Sequence, residues 1–176
     1  MDKKDLQNPA LYTNRELSWL LFNKRVLSEA RDKQLLLFER LKFLSITASN
    51  LDEFFMVRIG SLVDMIHAEY TKKDIAGMSA KEQLDALMEE THKFAALQYS
   101  TYNRMLLPQL RANGLNFVEH HEQLTERQAQ YVDEYFEENV YPVLTPMAVD
   151  SSRPFPLIRN KTLNIGALVA KKGEKD

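Results

Sequence analysis

Apolar side chains recur at helical spacing through the first two thirds of this chain, and this period decides the fold class. At about 100° per residue, one wide face of the first segment carries Trp19, Leu20, Phe22, Val26, Leu27 and Ala30. The same spacing predicts a second helix from about Gln34 to Thr47 and a third from Asn50 to about Tyr70. Amphipathic helices bury their apolar faces against one another, so we expect an antiparallel helical bundle.

Local signals indicate where these helices begin and end. Thr13 with Glu16, and Ser79 with Glu82, have the spacing of a capping box, in which the two side chains satisfy free amides at a helix start. The second box opens a long helix. Pro108 should kink or break that helix, because proline cannot donate to the helix ladder.

The residue pattern changes after the long helix. Leu115–Val118 and Thr162–Ala170 have the composition of strands, and one more helix is predicted from Thr125 to about Val140. Two candidate strands without partners do not complete a sheet. We therefore expect a helical domain over residues 1–112 and the beginning of an α+β domain, cut short, over residues 113–176. The predicted fold class is mainly α, an antiparallel helical bundle followed by an incomplete α+β domain.

Composition excludes several classes of protein. The formal net charge is -2, so no overall basic field favours a nucleic-acid partner. The absence of cysteine excludes disulfides, thiolate metal sites and a cysteine nucleophile. No apolar run approaches the ~20 residues of a membrane helix, and the N-terminus lacks the apolar core of a signal peptide. We expect a soluble, cytoplasmic protein without a transmembrane segment.

Sequence patterns of phosphate loops, zinc proteases and serine hydrolases are absent from the chain. The adjacent acids Asp52 and Glu53 diverge by about 100° on a helix and cannot face one substrate together. The four histidines lack metal-ligand spacing; they are His67, His92, His120 and His121. We predict no catalytic residue and no metal ligand within these 176 residues.

Two polar residues contradict the apolar period. Asn23 falls inside the apolar face of the first helix, and Arg58 falls between Leu51 and Leu62 on the third. A buried guanidinium must find a carboxylate, helix-end carbonyls or a bound anion. We interpret Arg58 as a buried or half-buried ion pair that joins helices, with ligand contact as the alternative. Asn23 is interpreted as a satisfied core amide.

The segment Ser49-Asn50-Leu51-Asp52-Glu53 stands at the predicted start of the third helix. Ser49 or Asn50 can cap that helix, and acids in a first turn suit the helix dipole. If Ser49 is the cap, the amide of Asn50 is free, and its donor and acceptor match the N6/N7 edge of adenine. Phe43 and Phe54 are nearby candidates for stacking on the base. Plain capping and nucleotide contact both remain open.

Three blocks of sequence resemble one known family. RELSWLLFNKRVLSEARD and ERLKFLSITASNLDEFFMVRIGSL are similar to the N-terminal helical domain of type-1 bacterial polyphosphate kinases. VYPVLTPMAVDSSRPFPLIRNKTLNIGALV is similar to the start of that family's head domain. The blocks occur in the family's order and cover most of the chain, so the resemblance is specific.

The resemblance implies an ATP:polyphosphate phosphotransferase, which transfers the terminal phosphate of ATP reversibly through a phosphohistidine, with Mg²⁺. It implies that Asn50 contacts the adenine of ATP. It places the nucleophilic histidine and the residues that bind Mg²⁺ and phosphate in domains outside this chain, which alone should be inactive. The intact protein should be a homo-oligomer, a dimer or a tetramer. The alternative is a non-catalytic helical interaction or oligomerisation module.

Overall fold

Helices form every regular element among residues 5–150 and 152–170, which the computed structural model describes. The chain divides into two units, Met1–Phe117 and Val118–Asp176. The described residues of the first unit form five α-helices: α1 (Arg15–Arg31), α2 (Leu37–Phe54), α3 (Gly60–His67), α4 (Ala80–Thr101) and α5 (Leu107–Ala112). This confirms the mainly α fold class. The domain boundary predicted at residue 112 stays a prediction.

Helix α1 packs against both α2 and α4, and α3 packs against α4. Two apolar clusters fill the contacts. The first contains Leu20, Phe54, Ile59, Leu62, Ala80 and Leu87, and the second contains Leu27, Ala30, Leu44, Phe94 and Leu106. Each fully buried side chain of this size contributes roughly 1.5–3 kcal/mol, so these faces supply most of the drive for the bundle.

The start of α1 is capped by Asn14, so the capping box predicted at Thr13 is wrong. Asn14 Oδ1 accepts from the backbone amides of Glu16 and Leu17, at 3.0 and 2.9 Å. Asn14 Nδ2 donates to Asp74 Oδ2 at 2.7 Å and to Gln83 Oε1 at 2.8 Å. Because this side chain also joins α1 to α4 and to the loop before α4, the buried asparagine replaces threonine as the cap.

The capping box predicted at Ser79 is confirmed. Glu82 Oε2 accepts from the Ser79 amide at 2.7 Å, and Ser79 Oγ accepts from the Glu82 amide at 3.3 Å. The hydrogen bonds from Ser79 lower the pKa of the Glu82 carboxyl below its ordinary value. This box opens α4 at the predicted position.

Helix α2 continues through Ser49 and Asn50, so the helix start predicted there is wrong. Ser49, Asn50, Asp52 and Glu53 lie in the last turns of α2 and cap nothing at an N-terminus. Packing explains the continuity, since Thr47 is fully buried and intrinsic propensity yields to tertiary contacts. The polar cluster therefore needs another explanation than capping.

A π-turn at Phe55–Ile59 links α2 to α3 and corrects the prediction for Arg58. A π-turn contains one residue more than an α-turn, so the side chains that follow are rotated about the helix axis. Ile59 is therefore buried at the position where an unbroken α-helix would place Arg58. The side chain of Arg58 is 48% exposed, and its Nε lies 3.9 Å from Glu16 Oε2. Arg58 thus pairs with a carboxylate of another helix, as predicted, but its side chain is exposed and not buried or half-buried, so the link to Glu16 is loose.

The buried guanidinium of the bundle belongs to Arg40 instead. Arg40 is 2% exposed, its Nε donates to the Ala30 carbonyl at 3.0 Å, and one terminal nitrogen donates to Gln109 Oε1 at 3.0 Å. The Ala30 carbonyl belongs to the last turn of α1, where the helix dipole favours a cation. Arg40 therefore joins the end of α1 to α5.

A second π-turn, Tyr102–Leu106, lies between α4 and α5 just before Pro108. The Leu107 amide donates to the Tyr102 carbonyl across this turn. Proline removes a ladder donor and crowds the carbonyl four residues earlier, so the regular α ladder opens here. This confirms the prediction that the long helix is interrupted just before Pro108.

The second unit contains α6 (Glu126–Tyr135), which continues into a π-turn at Phe136–Val140. This confirms the helix predicted from Thr125 to about Val140. Leu115–Val118 and Thr162–Ala170 are irregular, so the strand predictions are wrong for these described residues. A strand needs a neighbouring ladder, and Leu163 and Leu168 are 95% and 106% exposed. The α+β class of this unit stays a prediction.

No helix in the described part of the chain combines the length and apolar character that membrane crossing requires.

Replacing Asn14 by alanine should lower the free energy of unfolding by about 1–2 kcal/mol, because the cap and its buried contacts are lost together. Urea unfolding followed by circular dichroism measures this change. Thr13→Ala is the matched control and should stay within about 0.5 kcal/mol of the parent protein. A larger loss for Thr13→Ala than for Asn14→Ala would restore threonine as the cap.

Acid should weaken the contact between α1 and α4. Hydrogen bonds from Lys24 at 2.6 Å and Lys93 at 2.9 Å lower the pKa of Glu90 to about 2. A carboxyl with a lowered folded-state pKa contributes stability above its ordinary value of 4.5, and this contribution disappears as pH falls from 4.5 toward about 2.

Urea unfolding at a series of pH values measures this effect, with Glu90→Gln as the comparison. The parent protein should lose more stability than the variant across that pH range. Parallel losses in the two proteins would show that the contact contributes nothing.

Candidate functional site

A pocket of about 340 Å³ opens between α1 and the end of α2, within the usual range for small-molecule sites. Its lining consists of Arg15, Glu16, Trp19, Phe22, Asn50, Glu53, Phe54, Val57 and Arg58. The pocket brings together Asn50 and Arg58, the two residues that the sequence had singled out for ligand contact. The π-turn supplies Val57 and Arg58, so this irregular turn shapes one wall.

A larger depression of about 820 Å³ runs along α6 in the second unit. None of its lining residues is buried, and they include Arg127, Gln130, Tyr131 and Glu134. It is a groove on exposed side chains, without a rigid wall behind it. The smaller pocket has a buried wall and is the better candidate site.

Two stacked rings form the aromatic wall of the pocket. The Trp19 and Phe54 ring centroids lie 4.4 Å apart, with 7° between the ring planes. Phe54 is 2% exposed, whereas Trp19 is half-buried and Phe22 is 47% exposed. Trp19 and Phe22 therefore offer more accessible ring surface than Phe54 does.

Sequence reasoning missed Trp19 and Phe22 as site residues because both belong to the apolar period of α1. The sequence did contain a sign of this role: the apolar face of α1 is wider than contact with one neighbouring helix requires. Phe43 packs half-buried against the second apolar cluster and is not part of the pocket lining. The structure thus brings Phe54, but not Phe43, to the pocket that contains Asn50.

The amide of Asn50 is held by the other polar residue of the apolar face, Asn23. Asn50 Nδ2 donates to Asn23 Oδ1 at 3.1 Å, and Asn23 Nδ2 donates to the backbone carbonyl of Thr47 at 3.1 Å. Asn23 is fully buried and Asn50 is half-buried. This confirms that Asn23 is a satisfied core amide, and it shows that its partner is the candidate ligand-binding residue.

Charges of both signs surround the mouth of the pocket. The carboxylate of Glu16 accepts from Arg15 at 2.9 and 2.6 Å and lies 3.9 Å from Arg58. The side chain of Glu16 is 9% exposed, whereas those of Arg15 and Arg58 are 72% and 48% exposed. One buried carboxylate thus accepts hydrogen bonds from Arg15 and lies near Arg58, and both guanidinium groups extend into solvent. Such groups retain donors for an anion.

Metal-binding geometry is absent from the part of the chain that the structure describes: no three His, Asp or Glu side chains there gather closely enough to hold an ion. In the second unit, His121 Nε2 lies 3.0 Å from Asp133 Oδ1 on an exposed surface. The candidate site therefore consists of an amide, aromatic rings, two guanidinium groups and two carboxylates, and its amide and rings suit a planar organic ligand.

Comparison with known proteins identifies the same family for both units. The family model described as polyphosphate kinase N-terminal domain matches residues 12–118, and the one described as polyphosphate kinase middle domain matches residues 127–176. The polyphosphate kinase of Lactiplantibacillus plantarum is 52% identical over 164 residues, which are 93% of this chain and 23% of that protein. The polyphosphate kinase of Bacillus anthracis is 46% identical over 166 residues, 94% of this chain and 24% of that protein.

A solved structure shows the same fold. The crystal structure of polyphosphate kinase from Porphyromonas gingivalis matches with a TM-score of 0.66 and 31% identity, over 84% of this chain and 20% of that chain. This chain spans about a quarter of the length of the two curated relatives named above, 23% and 24%.

Proposed function

Because this chain belongs to the polyphosphate kinase family, we propose that its helical unit binds the adenine end of ATP in an ATP:polyphosphate phosphotransferase. One observation carries the proposal: the pocket presents the half-buried amide of Asn50 beside the stacked rings of Trp19 and Phe54. An amide next to an aromatic surface is the pair of groups that a purine base requires.

The hydrogen-bonding capacity of Asn50 supports adenine recognition. A primary amide has two N–H donors and one acceptor oxygen. Asn23 takes one donor, and no other described residue hydrogen-bonds to the Asn50 side chain. One donor and the oxygen thus remain, and they complement the amino group and the adjacent ring nitrogen of adenine.

Stacking on the aromatic wall provides the second part of the binding energy. Base–aromatic stacking contributes about 1–3 kcal/mol per base. Phe54 is too deeply buried to offer a free face, so its role is to support the ring of Trp19 from behind. The base would then lie against Trp19 or the exposed ring of Phe22. Stacking by Phe43 stays a prediction.

The phosphate end of ATP requires more positive charge than the pocket provides. Arg15 and Arg58 at the mouth are offset by Glu16 and Glu53, so the lining is close to neutral. Phosphoryl transfer requires clustered cations around the transferred group. We therefore propose that the phosphohistidine and the residues that bind Mg²⁺ and phosphate belong to regions of the family's proteins that this chain does not match. The chain alone would be inactive.

Oligomer contacts form the second part of the proposal. Leu36 and Phe38, at the start of α2, are 77% and 62% exposed. Large apolar side chains exposed side by side favour protein contact. This surface would suit the homo-oligomer, a dimer or a tetramer, that we propose for the intact cytoplasmic enzyme. It would equally suit the alternative, a helical oligomerisation module without nucleotide binding.

Replacing Asn50 by alanine should weaken ATP binding by about 5- to 150-fold, because a purine-binding amide is lost. Binding to the chain is expected to be weak, since the phosphates are not held, so NMR titration of ¹⁵N-labelled protein is the suitable measurement. The free energy of unfolding should fall by about 1 kcal/mol, since Asn23 loses its partner.

Ser49→Ala is the matched control, one residue away on an exposed part of α2, and should leave ATP affinity unchanged. If Asn50→Ala reduces stability while ATP affinity stays at the parent value, Asn50 serves only to satisfy Asn23. Absence of ATP binding to the parent protein, together with self-association, would favour the oligomerisation module.

A further inference from the structure

We propose that Asn23 is a positioning residue that fixes the amide of Asn50 in one orientation and thereby selects adenine over 6-oxo purines. The inference rests on the proposed adenine site. It concerns a side chain that lies beneath the pocket and is not part of its lining. Its evidence is a directed chain of hydrogen bonds that begins at a backbone carbonyl.

The direction of this chain of hydrogen bonds is determined at Thr47. A backbone carbonyl can only accept, so the group of Asn23 that lies 3.1 Å from the Thr47 oxygen must be its NH₂ group. The oxygen of Asn23 is then turned toward Asn50. Asn50 in turn must present its NH₂ group to that oxygen, at 3.1 Å.

Burial makes this arrangement hard to reverse. Asn23 is 0% exposed, so water cannot compensate a flipped amide. A flip would place two oxygens against each other at Thr47 and would leave buried donors unpaired. Each unpaired buried group costs about 1–3 kcal/mol, which makes the reversed state a minor population.

The residue whose carbonyl begins this series of hydrogen bonds, Thr47, is itself held in place. Thr47 is 0% exposed, its hydroxyl donates to the Leu44 carbonyl at 2.7 Å, and it accepts from Gln98 Nε2 at 3.0 Å. The bond from Gln98 ties this turn of α2 to α4. Contacts among three helices therefore determine the orientation of a single amide at the pocket.

A fixed amide distinguishes two kinds of purine. Adenine presents an amino donor at C6 between acceptor nitrogens at N1 and N7, whereas a 6-oxo purine presents an acceptor oxygen at C6, with an N–H donor at N1. A free amide can rotate by 180° and fit either order. The sugar of the bound base must extend through the mouth of the pocket, which fixes how the base lies. An amide held by Asn23 can then pair with only one of the two orders of donor and acceptor. The remaining oxygen of Asn50 should accept from the adenine amino group.

The test compares ATP with inosine triphosphate, which differs from ATP at C6 and N1 alone. NMR titration of the chain should show ATP bound at least about fivefold more tightly than inosine triphosphate. Asn23→Leu removes the acceptor that holds Asn50, so this variant protein should bind ATP and inosine triphosphate with similar affinity. Asn23→Asp keeps an oxygen toward Asn50 in either protonation state and should retain the preference.

Both variants should be less stable than the parent protein, so loss of stability cannot explain a difference between them in base preference. If Asn23→Leu keeps the parent ratio of the two affinities, Asn23 is a structural residue and the inference is wrong. If the parent protein does not prefer ATP although Asn50→Ala weakens ATP binding, the inference fails while the adenine site stands. If Asn50→Ala has no effect on ATP binding, the proposed function itself fails.

A measurement on the parent protein covers the case in which Asn23→Leu does not fold. The two side-chain N–H signals of Asn50 should respond differently to adenosine monophosphate. The hydrogen bonded to Asn23 should keep its chemical shift, while the other should move with ligand concentration. Equal movement of both signals would show that Asn23 does not hold the amide.

Discussion

Burial of polar groups within an apolar bundle is the constraint on which this structure depends. Asn23, Arg40 and Thr47 are each no more than 2% exposed, and every one of them bonds to a backbone carbonyl of a helix. A buried polar group without a partner costs several kcal/mol, so the bond from Asn23 to the Thr47 carbonyl constrains the placement of α1 on α2, and the bond from Arg40 to the Ala30 carbonyl constrains the end of α1. The hydroxyl of Thr47 bonds within α2, and its bond from Gln98 ties α2 to α4. Apolar packing drives the association, and these residues determine its register.

The sequence predicted the helices well and their junctions poorly. The period of apolar residues located α1 and α4, and the capping box at Ser79 was confirmed, because both signals depend on local spacing. The false start at Asn50 arose because Ser49 and Asn50 are preferred N-cap residues, a local signal that tertiary packing outweighs here. Strands were predicted at Leu115–Val118 and Thr162–Ala170 from composition, but a strand depends on a partner that local sequence cannot supply.

The candidate site was predicted in part. Asn50 was predicted to contact adenine from the family resemblance, and the residues alone left that interpretation open. The buried guanidinium was assigned to the wrong arginine, although Arg40 continues the spacing of Leu37 and Leu44 along the buried face of α2. The link between Asn23 and Asn50 could not be read from the sequence, because it joins residues 27 positions apart on two helices.

The π-turn at Phe55–Ile59 has a consequence for how such a pocket can arise. A turn of this kind contains one residue more than an α-turn, so it is equivalent to a single inserted codon. The extra residue rotates the helix that follows it, so Arg58 lies at the mouth of the pocket and Ile59 takes the buried position. One extra residue in a turn thus separates a plain structural helix from a helix that carries a guanidinium at the candidate site.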